Sequence, residues 1–247
     1  MTTTDKVSVL RALHVPGSPL VLPNVWDAAS ARAVQDAGFP VVATGSAGVS
    51  RVLGYEDGEG TPAGEMLAAV ARIVRAVSVP VTADVERGYG LKPAELAERL
   101  AATGAAGCNL EDTDPATGEL VDPGAQAEFL AEVRAAAGQD LVINARVDVY
   151  LHGRTSRQEA VERGRRYLEA GADCVYPIGL GDEAEIQALA AELEGPVNIL
   201  FRPGTPSLGR LAQLGVARIS FGGGLQQAAH AYAQGLFAKV RKGHSPY

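Results

Sequence analysis

Ala102-Thr103-Gly104-Ala105-Ala106-Gly107-Cys108-Asn109-Leu110-Glu111-Asp112 carries the decisive pattern of this chain. An amphipathic stretch ends at Gly104, an apolar run follows, and the run finishes on acids. Glycine leaves a helix in the left-handed conformation at low cost, so Gly104 reads as a helix end and the apolar run as a strand. The junction recurs at Asp36-Ala37-Gly38-Phe39-Pro40-Val41-Val42, Glu169-Ala170-Gly171-Ala172-Asp173-Cys174-Val175 and Gln213-Leu214-Gly215-Val216-Ala217-Arg218-Ile219. Other strands open without that glycine, at Ser78-Val79-Pro80-Val81-Thr82, Gln139-Asp140-Leu141-Val142-Ile143 and Gly195-Pro196-Val197-Asn198-Ile199.

Helix starts follow the same alternation. Thr61-Pro62 and Thr205-Pro206 predict an N-cap before a first-turn proline. Ser156 with Glu159, and Asp182 with Glu185, have capping-box spacing. Leu67, Val70, Val74 and Val77 recur at helical intervals. Strands are expected near residues 20–24, 40–45, 79–84, 106–111, 140–146, 173–178, 196–200 and 217–221, each followed by a helix. Eight βα units in about 250 residues predict a single (β/α)8 TIM-barrel domain over residues 1–247. An open doubly wound sheet is the alternative, but no Gly-x-Gly-x-x-Gly follows the first strand.

The 247 residues are 47% hydrophobic, with a formal charge of −7. No apolar run approaches the roughly 20 residues that span a bilayer. Residues 1–6 show no basic region leading into an apolar one, so a cytoplasmic protein without a signal peptide is expected. The acidic balance and the lack of a basic stripe argue against nucleic acid and anionic membranes as partners. Cys108 and Cys174 lie inside strand-like runs and read as buried thiols rather than a disulfide or a nucleophile.

Active sites of such barrels lie at the C-terminal ends of the strands. Alternation puts Asp84 and Glu86 on one side of the chain leaving the third strand, and Glu111 ends the fourth. These carboxylates can hold a hard cation directly or through its waters, as Mg²⁺ commonly keeps several. Arg146, ending the fifth strand, offers a planar fork for a substrate carboxylate, or else an ion pair with Asp148. Gly45-Ser46-Ala47-Gly48 reads as a turn able to present N–H groups and a hydroxyl to an anion. None of Lys6, Lys92, Lys239 and Lys242 ends a strand, which argues against a Schiff-base aldolase. His14, His152, His230 and His244 have no ligand spacing, and an oxygen-only site favours Mg²⁺ or Mn²⁺ over Zn²⁺.

Five elements in this order resemble the isocitrate lyase/phosphoenolpyruvate mutase superfamily over nearly the whole chain, from Pro23-Asn24-Val25-Trp26-Asp27-Ala28 to the eighth strand. They are Gly45-Ser46-Ala47-Gly48, Leu53-Gly54-Tyr55-Glu56-Asp57, Asp84-Val85-Glu86-Arg87-Gly88-Tyr89-Gly90, Leu110-Glu111-Asp112 and Asn144-Ala145-Arg146-Val147-Asp148. The resemblance implies a Mg²⁺-dependent barrel acting on small 2-oxo or 2-hydroxy carboxylic acids. It implies Asp84 as the main metal ligand, with Asp57, Glu86 and Glu111 holding the water shell. Ser46, Ala47, Gly48 and Arg146 would bind the substrate carboxylate, Trp26 would wall the pocket, and Asn198 matches a pocket asparagine. A homo-oligomer, dimer or tetramer, is implied as well. In the family's homotetramer the last helix, here residues 225–241, is exchanged between subunits.

The departures restrict the chemistry. Lyases of this family carry a Lys-Lys/Arg-Cys-Gly-His lid after the fourth strand, and the phosphonomutase branch a lysine and an asparagine. Here the lid, residues 112–122, has none of them. A pocket histidine or glutamate expected after the sixth strand falls near Ile178, Glu86 replaces the usual aspartate, and Arg87 stands where a small residue is common. Isocitrate lyase and phosphoenolpyruvate mutase activities are therefore not expected. The leading reading is a lyase or decarboxylase cleaving a C–C bond through a metal-stabilised enolate, with Tyr89 or Glu119 returning the proton. The alternatives are a phosphonopyruvate-type C–P hydrolase or mutase with Thr113 or Thr117 near the substrate, and a non-catalytic 2-oxo acid binding protein.

Overall fold

A computed structural model describes residues 2–153 and 156–247. Strands β1 (Leu20–Leu22) and β2 (Asn24–Val25) form one extended run divided at Pro23. Proline has no N–H for a ladder, so the single strand expected over 20–24 breaks there and its halves take different neighbours. β1 pairs with β9 (Arg218–Ser220), which pairs with β8 (Asn198–Leu200). β2 pairs with β3 (Val42–Thr44), and the ladder continues through β4 (Val81–Asp84), β5 (Gly107–Leu110), β6 (Val142–Val147) and β7 (Cys174–Pro177). β7 meets β8 through a parallel bridge between Val175 and Val197, and the Val175 N–H donates to the Pro196 carbonyl at 2.9 Å. All these neighbours run parallel, and the chain is the expected (β/α)8 barrel.

Asn24 repairs the interruption. Its Oδ1 accepts from the N–H groups of Phe221 and Gly222 at 2.7 and 2.9 Å, and its Nδ2 donates to the Thr44 carbonyl at 2.8 Å. One buried amide thus joins the first, second and last strand positions.

The helices after β2 are α2 (Ala28–Asp36), α3 (Ser46–Leu53), α4 (Ala63–Ala76), α5 (Pro93–Thr103), α6 (Pro123–Ala137), α7 (Arg157–Glu169), α8 (Glu183–Glu192), α9 (Leu208–Gln213) and α10 (Gly224–Arg241). Gly38, Gly104, Gly171 and Gly215 all have positive φ, as the junction pattern requires. Ser156 and Asp182 accept from the N–H groups of Glu159 and Glu185 as N-caps. Two expected caps are different. Thr61 is buried, and its hydroxyl donates to Ser50 while Pro62 takes the N-cap of α4. Thr205 closes a turn onto Arg202, and Ser207 caps α9.

An additional helix, α1 (Thr3–Ala12), closes the N-terminal end of the barrel. Val7 and Leu10 pack there against Leu20, Leu22, Val41 and Val142. The main core lies between the strands' outward side chains, such as Leu110, Ile143 and Ile199, and helical ones such as Leu96, Leu130 and Ile186. Cys108 and Cys174 are buried and free, and burial pushes both thiols up to about 12, so both stay protonated as small packing groups. No helix among the described residues is long and apolar enough to cross a membrane.

Inside the barrel, buried Arg218 donates to Asn109 Oδ1 at 3.1 Å and meets His14 Nε2 at 3.4 Å. His14 Nδ1 lies 2.8 Å from the Leu10 carbonyl, which fixes the tautomer with the proton on Nδ1. Burial, and then the Arg218 charge, depress the His14 pKa to about 4. The unfolded chain binds this proton at a higher pH than the native one. The His14 contribution to stability should therefore fall as pH drops from about 6.5 toward 4, by roughly 3 kcal/mol at most, against the opposite contribution of buried carboxyls. Urea unfolding across that range tests this: His14→Gln should remove this part of the dependence.

Candidate active site

The C-terminal ends of the strands surround a cavity of about 160 Å³. Asp84 from β4, Asn109 from β5, Arg146 from β6, Tyr176 from β7 and Ser220 from β9 line it, together with Ser46, Ala47 and Asp57 from the segments after β3. Ile178 and Leu200 supply an apolar side, while Gly222 and Gly223 bring backbone close. Larger hollows, such as the one along α7, lie away from the strand ends, and there Glu162, Glu169 and Glu192 stand among Arg157, Arg165 and Arg166.

Asp84 is the centre of the floor. Its N–H donates to Thr44 Oγ1 at 2.9 Å, and its Oδ2 accepts from both the N–H and the hydroxyl of Ser46 at 3.2 Å. The glycine-rich segment expected as a turn is the first turn of α3, with Gly45 as N-cap. The anion at that helix start is Asp84 itself, favourably placed for the helix dipole. Asp84 Oδ1 is buried and has no hydrogen-bond partner. A buried carboxylate oxygen without a donor is costly, and a cation would satisfy it.

The surrounding acids are short of positive charge. Burial pushes the Glu86 carboxyl up to about 7 against the hydrogen bond from Tyr89, with Asp57 and Asp84 adding repulsion. Glu111 is also raised, first by burial, with Arg146 opposing and Asp148 and Asp84 reinforcing. Asp57, at the exposed mouth, is raised by partial desolvation and then by Asp84. Among the described residues no three His, Cys, Asp or Glu side chains form a ready-made ligand cluster. One carboxylate oxygen left free, with further acids around it, is a donor set of the kind that suits a hard divalent ion keeping several waters.

Arg146 is held between two carboxylates. Its Nε and Nη2 donate to Asp148 at 2.6 and 2.8 Å, and its Nη1 pairs with Glu111. Burial works against its charge, but Asp148 and Glu111 outweigh this and keep the guanidinium protonated. The ion pair with Asp148 is thus present, and the Arg146 side chain also lines the cavity. Asp148 takes the Nε–Nη2 edge and Glu111 one hydrogen of Nη1, which leaves one N–H each on Nη1 and Nη2. Asp148 also accepts from Thr113 at 2.6 Å, and its N–H donates to Asp112 at 2.8 Å. Asp112 is buried and receives Tyr167 and Arg163, so it roots the lid rather than moving with it.

Several candidates lie off the cavity wall. Trp26 packs with Val49 and Met66, and a Cβ on Gly48 would stand 3.1 Å from Trp26, so close approach of α3 fixes that glycine. Asn198 is buried in the barrel and donates to Ser220 at 3.3 Å. The Tyr89 hydroxyl donates to Glu86 at 2.8 Å, and burial and Glu86 raise its pKa, so it is a poor proton donor. Residues 113–120 form a short exposed hairpin, with Glu119 away from the cavity. Asn109 and Ser220 were not foreseen. Asn109 pairs in register with Asp84 and Asn144 and lies two residues before Glu111, so strand parity alone could have found it.

The sequence profile of the family described as phosphoenolpyruvate phosphomutase matches residues 10–241. The chain is 33% identical over 215 residues to an oxaloacetate decarboxylase of Rhodopseudomonas palustris, covering 80% of this chain and 71% of that protein. A protein of Burkholderia cenocepacia J2315, provisionally described as a phosphonomutase, superposes with a TM-score of 0.91 at 43% identity, over 95% of this chain and 99% of that one. A phosphonopyruvate hydrolase solved with oxalate and Mg²⁺ superposes with a TM-score of 0.87 at 27% identity, over 98% and 88%.

Asp148 is fully buried, so truncating it leaves Arg146 short of its main partner. Asp148→Ala should lower unfolding stability by about 3–5 kcal/mol, as breaking a buried pair does. Glu95→Ala, which removes an exposed pair with Arg99, should cost under about 1 kcal/mol in the same urea titration.

Proposed function

The chain belongs to the phosphoenolpyruvate phosphomutase family of lyases and mutases, and from that premise we propose a Mg²⁺-dependent lyase or decarboxylase cleaving a C–C bond in a small 2-oxo or 2-hydroxy (di)carboxylic acid. The observation that carries this reading is the partnerless, buried Oδ1 of Asp84 on the floor of an acid-lined cavity that also presents Arg146. Asp84 would hold Mg²⁺ or Mn²⁺ directly, with Asp57, Glu86 and Glu111 receiving its waters. Bound there, the ion supplies a Lewis acid for the charge developing on the 2-oxo oxygen.

The protein's own groups account for the remaining tasks. Arg146 orients a carboxylate through Nη1 and Nη2, and its charge is kept by Asp148 and Glu111. Asn109 on the neighbouring strand β5 and Ser220 on β9 offer further hydrogen-bonding groups, while Ile178 and Leu200 exclude water. The cavity is below the usual range for drug-sized ligands, which favours an acid of a few carbons. Decarboxylation suits a lid without cysteine, histidine or lysine, because losing CO₂ requires no base to begin. Tyr176 lies on the cavity wall and is better placed than Tyr89 to return a proton. Thr113 is engaged by Asp148 and lies within 3.1 Å of His152, off the cavity, which gives the C–P reading no support from that residue.

Helix α10 supports a homo-oligomer. It has no buried residue over Gly224–Arg241, and Leu225, Tyr232, Phe237 and Val240 are exposed along it. An uncovered row of apolar side chains is the expected mark of a subunit contact, in keeping with an exchanged last helix in a dimer or tetramer.

Asp84→Ala should abolish Mg²⁺-dependent thermal stabilisation, because a ligand bound only by the folded state stabilises it by mass action. Unchanged stabilisation in that variant would remove the metal reading. Arg146→Lys keeps charge but loses the fork, so calorimetric affinity for oxaloacetate or oxalate should fall by roughly one to two decades, or about 1.5–3 kcal/mol. Turnover of oxaloacetate distinguishes an enzyme from a protein that only binds such acids. For the assembly, Tyr232→Glu with Phe237→Glu should lower the mass measured by sedimentation. An unchanged mass would exclude α10 as the contact.

A further inference from the structure

Among the described residues, the non-glycine positions with positive φ are Glu59 (62°), Glu86 (50°) and Tyr89 (57°). Such backbone is unfavourable for residues with a Cβ and persists where surrounding contacts hold it. These three residues hold one another. The Glu59 N–H donates to Glu86 Oε2 at 2.5 Å, and the Tyr89 hydroxyl donates to Glu86 Oε1 at 2.8 Å. In return, Glu59 Oε1 accepts from the N–H groups of Arg87 and Tyr89 at 3.2 and 2.6 Å. Each glutamate carboxylate therefore satisfies backbone donors of the other segment.

The two segments so joined carry acids of the site. Asp57 precedes Glu59 by two residues in the connection between α3 and α4. Glu86 follows Asp84 by two residues in the turn after β4. Other bonds reach the Asp57 segment as well: Ser46 donates to the Asp57 carboxyl, and the Tyr55 hydroxyl donates to Glu65 at 2.8 Å. At its ends, Tyr55 N–H donates to the Ser50 carbonyl and the Thr61 hydroxyl to Ser50 Oγ. Gly60 lets the segment fold back closely, since a Cβ there would stand 2.6 Å from the Glu56 carbonyl oxygen. Glu59 itself does not line the cavity.

We propose that Glu59 is a positioning residue whose carboxylate clasps the Asp57 segment to the Glu86 turn and so sets both acids around the Asp84 cation site. The proposal rests on the metal reading above. Its claim is separate: hydrogen-bond acceptance by a side chain outside the cavity decides where two of the acids stand. Glutamine at position 59 keeps an acceptor for the Arg87 and Tyr89 N–H groups, whereas alanine removes it.

The test compares Glu59→Gln and Glu59→Ala with the unaltered protein and Asp84→Ala. Mg²⁺ alone is titrated by calorimetry, kcat and KM are measured with oxaloacetate at saturating Mg²⁺, and hydrogen–deuterium exchange is followed without metal. Glu59→Ala should weaken Mg²⁺ binding at least tenfold, lower kcat more than it changes KM, and speed exchange in residues 54–61 and 86–90. Glu59→Gln should stay within about threefold of the unaltered protein. A merely structural role would lower the melting temperature of Glu59→Ala while leaving Mg²⁺ affinity and kcat intact well below it. That result overturns the proposal, as does a glutamine variant as impaired as the alanine one. If Asp84→Ala loses Mg²⁺ binding while Glu59→Ala keeps it, the clasp alone falls. If the unaltered protein binds no Mg²⁺, the metal reading falls and the clasp's role with it.

Discussion

Negative charge crowded into one end of a barrel is the constraint on which the site depends. Asp57, Asp84, Glu86, Glu111 and Asp148 gather there, and Arg146 is the cation bonded among them. Burial, and after it repulsion between like charges in a poorly solvated space, raises Asp57, Glu86 and Glu111. The fold tolerates this through backbone and hydroxyl donors: Ser46 on Asp84, Glu59 N–H and Tyr89 on Glu86, and Thr113 on Asp148. What these donors leave unsatisfied is above all Asp84 Oδ1, the oxygen on which the proposed cation site rests.

The same constraint explains the neighbouring architecture. A rigid parallel ring can hold like charges close because their Cα positions are fixed by ladders that repulsion at side-chain tips cannot shift. β4, β5 and β6 are adjacent and in register through Asp84, Asn109 and Asn144. The buried root of the lid, Asp112 with Tyr167 and Arg163, ties the outer helix α7 to the segment that precedes the hairpin. The Arg146–Asp148–Thr113 chain then links the hairpin's base to the arginine that lines the cavity. Lid and arginine share one carboxylate.

The eight-fold alternation was legible because helix ends and strands have different local chemistry. Gly38, Gly104, Gly171 and Gly215 mark left-handed helix ends wherever they occur, and acids after apolar runs mark the strand ends. Asp84, Ser46 and Arg146 were identifiable for the same reason: in a barrel, position along a strand is position in the site. Signals that depended on a partner distant in sequence misled. Thr61 and Thr205 have the sequence of helix caps, yet their hydroxyls found Ser50 and Arg202 instead. The Gly45–Gly48 segment suits a turn or a helix start equally well until Asp84 is seen across from it.

The sequence by itself determined the order of elements, the barrel, and the end of it at which acids and an arginine collect, because periodicity and capping are local properties. Tertiary structure alone decided how those charges are shared. Asp84 comes from β4 and Ser46 from the start of α3, and their hydrogen bonds exist only once neighbouring strands set them face to face. Tyr89 turned from the cavity toward Glu86 because a left-handed backbone at both residues points it there, which no residue-type pattern reveals. Contacts between segments tens of residues apart depend on strand stagger and loop closure, and these are properties of the assembled ring rather than of any stretch of the chain.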